Sequence, residues 1–447
     1  MVNVDSPTAN RGYPPAARAW GVTLLLTIIY VFSFVDRQVL NLLVGPIQQD
    51  LSFTDTQISL LQGFGFVATY VLLSVPIGRL VDTRRRVNII AAGVAFWSVA
   101  TAACGMVRSF PGLFMARAGV GIGEAALTPA AWSLIADLFP SSRRSFPLSV
   151  FLMGPYLGVG VAMIAGGLVM DELLVKGDVV VPLLGAMAPW QLTFLTVAAP
   201  GLLLTVLMLL IREPLRQGVD AGPMAAAATG AEISFWLRSN ARVYVALLLG
   251  VPCIVLVLYA LQAWVPSYLQ RVQGMSLGEA GTRYGSVALV AGSLGVLSGP
   301  FFGRLLEQRG FHDYPIRIGA ITLGTTVPAL LALAVAPTPT LALAAIGFVS
   351  FLVTVPLALA ASALQIATPN RMRGVLAGAY VVATNLIGMA IGPSLVALTT
   401  DYLFGDPAAI GQSLALVGTL VALVGVTLLV RGLKPYADLV ATLADDH

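Results

Sequence analysis

Residues 57–107 read QISLLQGFGFVATYVLLSVPIGRLVDTRRRVNIIAAGVAFWSVATAACGMV. Two apolar runs, 57–80 and 88–107, flank a short turn that carries Arg84, Arg85 and Arg86. As a helix, each run is long enough to cross a hydrocarbon core of ~30 Å. A short loop dense in arginine stays on the cytoplasmic side of a membrane. The stretch therefore reads as two membrane helices joined by a cytoplasmic loop.

Working outward, further apolar stretches fall at approximately 20–45, 111–138, 146–170, 189–211, 243–268, 284–306, 316–335, 339–366, 374–399 and 410–431. With the first two they make twelve. Composition agrees: 57% of the 447 residues are hydrophobic, only 10% are charged, and mean hydropathy is +0.88. A soluble domain carries roughly a quarter charged residues. The net charge of +4 is concentrated in a few loops rather than along one face, which excludes a nucleic-acid partner. Cys104 and Cys253 lie in apolar runs and read as buried packing residues, not a disulfide. His312 and His447 have no ligand-like neighbours, so no metal site and no cofactor are expected. The Met1 to Ala19 segment lacks the apolar run and cleavage site of a signal peptide.

The polar interruption at 212–242 divides the chain into an N-terminal six-helix bundle, 1–211, and a C-terminal bundle with a short tail, 243–447. Twelve spans place both termini, this linker and the loops after spans 2, 4, 6, 8 and 10 on one side. Those loops carry Arg84 to Arg86, Arg143, Arg144, Arg212, Arg216, Arg238, Arg309, Arg371 and Arg373. The opposite loops hold little beyond Arg108, Lys176, Arg271 and Arg283, and they include Asp50, Asp171, Glu172, Asp401 and Asp406. The bias predicts cytoplasmic termini in a multi-pass protein of the cell inner membrane.

The halves echo one another. GRLVDTRRR (78–86) after span 2 parallels GRLLEQRG (303–310) after span 8, and Gly154-Pro155-x-x-Gly158 in span 5 parallels Gly388-x-x-x-Gly392-Pro393 in span 11. Any one glycine pair alone reads as close helix packing. Two matches six spans apart point to a duplicated six-helix unit.

Ionisable groups inside a span are costly and usually face a cavity or a partner. The clear cases are Asp36 and Arg37 in span 1, and Arg117 and Glu124 in span 4, all in the first half. The C-terminal spans hold no carboxylate or arginine away from their ends. The first half is thus expected to handle charge while the second completes an apolar or neutral-polar wall. Arg117 and Glu124, seven apart, share one helix face at roughly 10 Å separation; Asp36 and Arg117 come out at similar depth, with Glu124 deeper. Gly119, Gly121 and Gly123 let another helix approach span 4. A static ion-pair lock between spans 1 and 4 is the simpler reading. Buried pairs stabilise weakly, however, and four such groups fit a proton- or substrate-responsive cluster better.

Gly78, Asp82 and Arg86 read as a breakable cytoplasmic gate, with Asp82 placed to accept hydrogen bonds from a neighbouring bundle. The alternative is topology alone, which Arg84 to Arg86 would satisfy. Polar candidates for the cavity wall are Tyr30, Asn41, Tyr156, Tyr259, Gln262, Tyr380 and Asn385, with Gln38, Gln62, Tyr70 and Gln365 beside them. No Walker loop, zinc motif or nucleophile elbow is present, so neither an ATP-driven pump nor an enzyme is expected.

Asp82-x-x-x-Arg86 after Gly78 resembles the signature loop of the major facilitator superfamily, departing at Arg85, where many members have glycine. YVFSFVDR (30–37) and RAGVGIGEAALTPAAWSLIADLF (117–139) resemble the spinster branch, whose eukaryotic members move sphingosine-1-phosphate or lysophospholipids. The superfamily resemblance covers essentially the whole chain, and the spinster resemblance rests mainly on the first half. It implies an all-α membrane protein of twelve helices in two six-helix bundles. It also implies that Asp36 is the proton-responsive carboxylate, with Arg37, Arg117 and Glu124 as coupled partners. Gly154-Pro155 is similar to a glycine–proline signature common in exporters.

The expectation is a monomeric, proton-coupled carrier of an amphipathic, anionic, lipid-like molecule, its halves rocking about a central site. Its partners would be that small substrate, protons and the lipid bilayer. A carrier of small organic acids or drugs is the alternative, and a non-transporting sensor or a channel lies further off.

Overall fold

In the computed structural model, residues 13–140, 143–182, 185–216, 229–369 and 371–445 are described. Among them, eleven helices are long and apolar enough to cross a membrane. Span 1 is Ala16–Leu42, span 3 Arg86–Met106, span 6 Pro189–Leu209, span 8 Leu277–Gln308, span 9 Tyr314–Val335 and span 12 Ile410–Asp445. Span 2 is broken at Gly63 into Asp55–Gln62 and Phe64–Thr83, and span 5 at Met153 into Ser145–Leu152 and Gly154–Lys176. Span 7 runs from Ala241 to Arg271 through a π-helical turn at Ala246–Gly250, and span 10 is Pro339–Thr354 plus Leu357–Ile366. Span 11 covers Arg373–Phe404 and contains the π-helical segment Thr384–Ile391. The twelfth is span 4, split into Phe110–Glu124 and Leu127–Leu138.

The breaks have local causes. Pro129 supplies no N–H for the carbonyl four residues earlier, at Ala125, and its ring clashes there, so span 4 interrupts directly after Glu124. Pro356 acts in the same way in span 10, six spans later. Span 5 packs on span 1 and span 11 on span 7 by matching glycine contacts. A Cβ at Gly158 would lie 2.7 Å from the Val31 carbonyl oxygen, and one at Gly392 would lie 2.9 Å from that of Leu256. The internal repeat read from spacing is thus also a repeat of packing.

Two features lie outside the twelve spans. The strands β1 (Val179–Val181) and β2 (Gly185–Met187) form an antiparallel hairpin before span 6. Within the 212–242 segment, Gly230–Ser239 is a helix, started by a capping box between Thr229 and Glu232. The threonine and glutamate three apart were visible in the sequence, but the Gly218 to Gly230 stretch of small residues led the whole segment to be read as a linker. Residues 217–228 of the expected linker lie outside the described residues.

The described residues pack as two compact units. The first takes in the described residues within Met1–Arg37, Ala68–Val161 and Asp178–Pro223; the second takes in those within Gln38–Val67, Ala162–Gly177 and Met224–His447. The second unit therefore contains the whole C-terminal half together with the arginine-poor ends of spans 1, 2 and 5. Cys104 and Cys253 are buried, unpaired thiols, as their apolar settings implied.

Candidate functional site

In the first unit, the four charged residues singled out in spans 1 and 4 come together. Asp36, Arg37, Arg117 and Glu124 are all buried, with 8% or less of each residue exposed. Arg37 Nε donates to Glu124 Oε2 at 2.6 Å, and its Nη2 completes the ion pair. The Arg37 guanidinium also lies 4.6 Å from the Phe34 ring centroid and 5.3 Å from that of Tyr70, an aromatic wall that favours a cation. Arg117 Nη1 donates to the main-chain carbonyl of Asp36 at 3.1 Å.

The helix that presents Glu124 is positioned by glycine. A Cβ at Gly123 would meet the Gly93 carbonyl oxygen and the Trp97 nitrogen at 2.7 Å, so only glycine lets span 4 lie this close to span 3. Arg37 reaches Glu124 even though the depth estimate from sequence set Glu124 about two helical turns further in.

One oxygen on each carboxylate, Asp36 Oδ1 and Glu124 Oε1, is buried with no hydrogen-bond partner among the described residues. An unsatisfied buried acceptor costs about 1–3 kcal/mol. A static lock would be selected to fill those positions, whereas a proton on such an oxygen removes the charge there.

The candidate cavity residues separate. In the first unit, Tyr30 stacks on Phe151 with centroids 4.6 Å apart, and Tyr156 is half-buried. In the second unit, Gln38 Nε2 donates to Gln262 Oε1 at 2.9 Å, while Asn41 Nδ2 donates to Gln38 Oε1 at 2.7 Å and to the Gln262 carbonyl at 3.2 Å. Asn41 and Gln262 thus join spans 1 and 7 directly. Tyr259 and Tyr380 are half-buried, and Asn385 Nδ2 bonds the Val381 carbonyl of its own helix at 2.8 Å.

The second unit also contains a set of contacts that sequence reasoning missed. Arg271 at the end of span 7 grips Asp55 with both nitrogens, at 2.7 and 2.8 Å, and takes Gln48 Oε1 at 2.6 Å. Asp401 of span 11 accepts from Thr56 N at 2.7 Å and from Thr56 Oγ1 at 2.6 Å, at the N-terminus of span 2. Asp171 of span 5 accepts from Gly278 N at 2.9 Å, at the N-terminus of span 8. Acidic side chains at helix N-termini answer otherwise unpaired N–H groups. The available signal was the presence of Arg271 among acidic loops. The partner of that arginine could not be chosen from sequence, because several aspartates lie on the same side.

Of the three expected gate residues, Arg86 is buried and paired while Gly78 and Asp82 are not. Gly78 has no neighbour within contact of an added Cβ, and Asp82 is exposed with no hydrogen bond or ion pair among the described residues. Arg86 is buried inside the first unit. Its Nε bonds Glu213 Oε1 at 2.7 Å, its Nη1 bonds Ser133 Oγ at 2.9 Å and pairs with Asp137, and its Nη2 bonds the Pro214 carbonyl at 3.2 Å. Glu213 in turn accepts from Arg86 N and Val87 N, capping span 3. Arg86 is therefore a clamp within its own bundle: it ties the segment after span 6 to the loop after span 2. We expect Arg86→Ala to lower stability by about 3–5 kcal/mol, because two carboxylates lose their buried cation. A thermal midpoint close to that of the unaltered chain in the same detergent would rule this out.

Comparison with known proteins agrees with this architecture. The profile of the Major Facilitator Superfamily matches residues 26–393. The chain is 28% identical over 426 residues to an MFS-type efflux pump of Mycolicibacterium smegmatis, covering 94% of each chain. It is 27% identical over 403 residues to protein spinster homolog 1 of Mus musculus, covering 86% of this chain and 73% of that one. Among solved structures, it resembles a bacterial homologue of the human lysosomal transporter spinster, in an inward-facing and unoccupied conformation. That likeness has a TM-score of 0.78 and 25% identity, and it covers 97% of this chain and 99% of the other. With twelve spans, a repeated six-helix unit and a profile matched across most of its length, the chain belongs to the Major Facilitator Superfamily, and its relatives include spinster proteins.

Proposed function

We propose that the chain is a proton-coupled secondary transporter of an amphipathic, anionic, lipid-like molecule. It works as a monomer by alternating access, with its arginine-rich loops in the cytoplasm. The observation that carries this reading is the buried cluster of Asp36, Arg37, Arg117 and Glu124, in which each carboxylate keeps one oxygen without a donor. Protonation of Glu124 weakens its hold on Arg37, protonation of Asp36 removes a negative charge from the same cluster, and a freed buried arginine attracts an anion. Binding and proton release are then two uses of one cation.

The lipid-like substrate is supported by the uneven distribution of charge. In spans 7 to 11, carboxylates and arginines fall within the two terminal turns at either end, which leaves apolar and neutral-polar middles for a tail. The resemblance to the spinster branch, whose eukaryotic members move sphingosine-1-phosphate or lysophospholipids, points the same way. The mycobacterial relative is named an efflux pump, which fits export; the alternative cargo, small organic acids or drugs, rests on buried arginines suiting carboxylates equally well. Counterflow into proteoliposomes preloaded with a lysophospholipid, beside others preloaded with a hydrophilic carboxylate, tests both. Exchange of the lysolipid alone is expected. Exchange of the carboxylate alone establishes the alternative, and exchange of neither overturns the carrier reading for both classes.

A further inference from the structure

The turn that opened the sequence has three arginines, and the clamp uses only one. Arg84 and Arg85 are exposed, and neither side chain makes a hydrogen bond or ion pair among the described residues. Below them a groove of about 560 Å³ runs down the face of the first unit between spans 2, 3 and 4. Asn88 lies beside the arginines at its mouth, and its walls are apolar: Leu80, Ile89, Ala92, Phe96 and Ile122. Its floor is the point where Gly93 and Gly123 bring spans 3 and 4 together, so the close approach that positions Glu124 also shapes this groove.

The dimensions match one leaflet. Phe96 lies eleven residues along span 3 from Arg85, or ~16 Å, about half of a ~30 Å hydrocarbon core. Leu80 and Phe96 remain 44% and 50% exposed, as side chains that meet acyl chains do. The mouth is net cationic. Arg86 with Asp137 and Glu213 leaves one negative charge, and that charge together with exposed Asp82 is outweighed by Arg84, Arg85 and Arg216. Arg216 is held at this turn by bonds to the carbonyls of Val81 and Arg84, at 2.7 and 2.9 Å.

We propose that this groove is a site for an anionic phospholipid of the surrounding bilayer, its headgroup phosphate on Arg84 and Arg85 and one acyl chain between spans 2, 3 and 4. The site lies on the outside of one bundle, so it concerns the lipid that holds the transporter rather than the cargo, and it stands whatever the cargo proves to be. Arg85, placed where related loops carry glycine, supplies the second positive charge. Basic pockets at the membrane interface select acidic headgroups, at about 1 kcal/mol per arginine.

Native mass spectrometry of the full-length protein, with phosphatidylglycerol or phosphatidylcholine of identical chains, tests the site. One phosphatidylglycerol should be retained in clear preference to phosphatidylcholine. Replacing both arginines (R84Q with R85Q) should weaken phosphatidylglycerol by roughly 25-fold, about fivefold per arginine, and leave phosphatidylcholine unchanged. Ala92→Phe, at an exposed wall position, should weaken both lipids by filling the groove. Arg309→Gln, an exposed arginine elsewhere, should change neither. Equal retention of the two lipids, full phosphatidylglycerol binding by the double variant, or its displacement by inorganic phosphate alone would each overturn the proposal. The first two would remove headgroup selection by these arginines; the third would make this a free-anion site.

Discussion

Transport driven by a proton gradient is expected to fall to background in Asp36→Asn, while counterflow of substrate without a gradient persists. Asparagine keeps the shape of the carboxyl and leaves the main-chain carbonyl that holds Arg117 in place. Only the ability to gain and lose a proton is removed. Glu124→Gln is expected to behave differently. Glutamine can still accept from Arg37, but the ion pair under the Phe34 and Tyr70 rings is gone, so turnover should slow in both assays. Measuring both variants across pH separates the roles. Unimpaired gradient-driven transport in Asp36→Asn would remove that residue from proton coupling. Identical pH profiles in the two variants would show one inseparable network in place of a sensor and a partner.

Gly63→Leu is expected to have an effect of similar size through geometry alone. A Cβ at Gly63 would lie 2.8 Å from the Ala390 Cα and the Met389 carbonyl oxygen, both main-chain atoms of the π-helical part of span 11. Backbone cannot move aside as a flexible side chain can. In the second unit this contact joins span 2 to span 11, as the Gln38–Gln262 bridge joins span 1 to span 7 and the Asp55–Arg271 pair joins span 2 to span 7, so a leucine there should keep these contacts from closing together as a seal. Transport should be lost while the protein remains folded. Cysteines introduced at the arginine-poor ends of spans 2 and 11 should become reactive toward a membrane-impermeant thiol reagent. If their reactivity matches that of the unaltered background, the seal closes in spite of the leucine and the contact has no gating role. The π-helical turns in span 11 fit this role, since such turns shift helix register and concentrate at functional sites.

Much of the architecture could be read along the chain because membrane physics acts on segments. A span must satisfy its own backbone hydrogen bonds, so length and hydropathy alone identify it. Intramembrane charge is rare enough that Asp36, Arg37, Arg117 and Glu124 could be singled out with no alignment. The duplicated glycine motifs marked spans 5 and 11, and the structure places each against its equivalent partner, span 1 and span 7. The break in span 4 was also written locally, in Pro129, although it was read as one continuous run.

What pairs with what was decided by tertiary structure. Arg84, Arg85 and Arg86 look equivalent in sequence, yet one is buried between Asp137 and Glu213 while two face outward. The difference arises because span 3 begins at Arg86, which turns that side chain into the bundle. Asp55 and Arg271 are 216 residues apart, and nothing local distinguishes that aspartate from Asp50. Asn41 and Gln262, read as lining for a cavity, bridge two helices. Hydropathy is a property of each segment and survives in isolation, whereas a hydrogen bond is a property of two groups at a distance. The sequence by itself determined which segments cross the membrane and which charges cannot be incidental. Only the packed helices decided which of those charges meet, because that depends on where remote chain segments come within three ångströms.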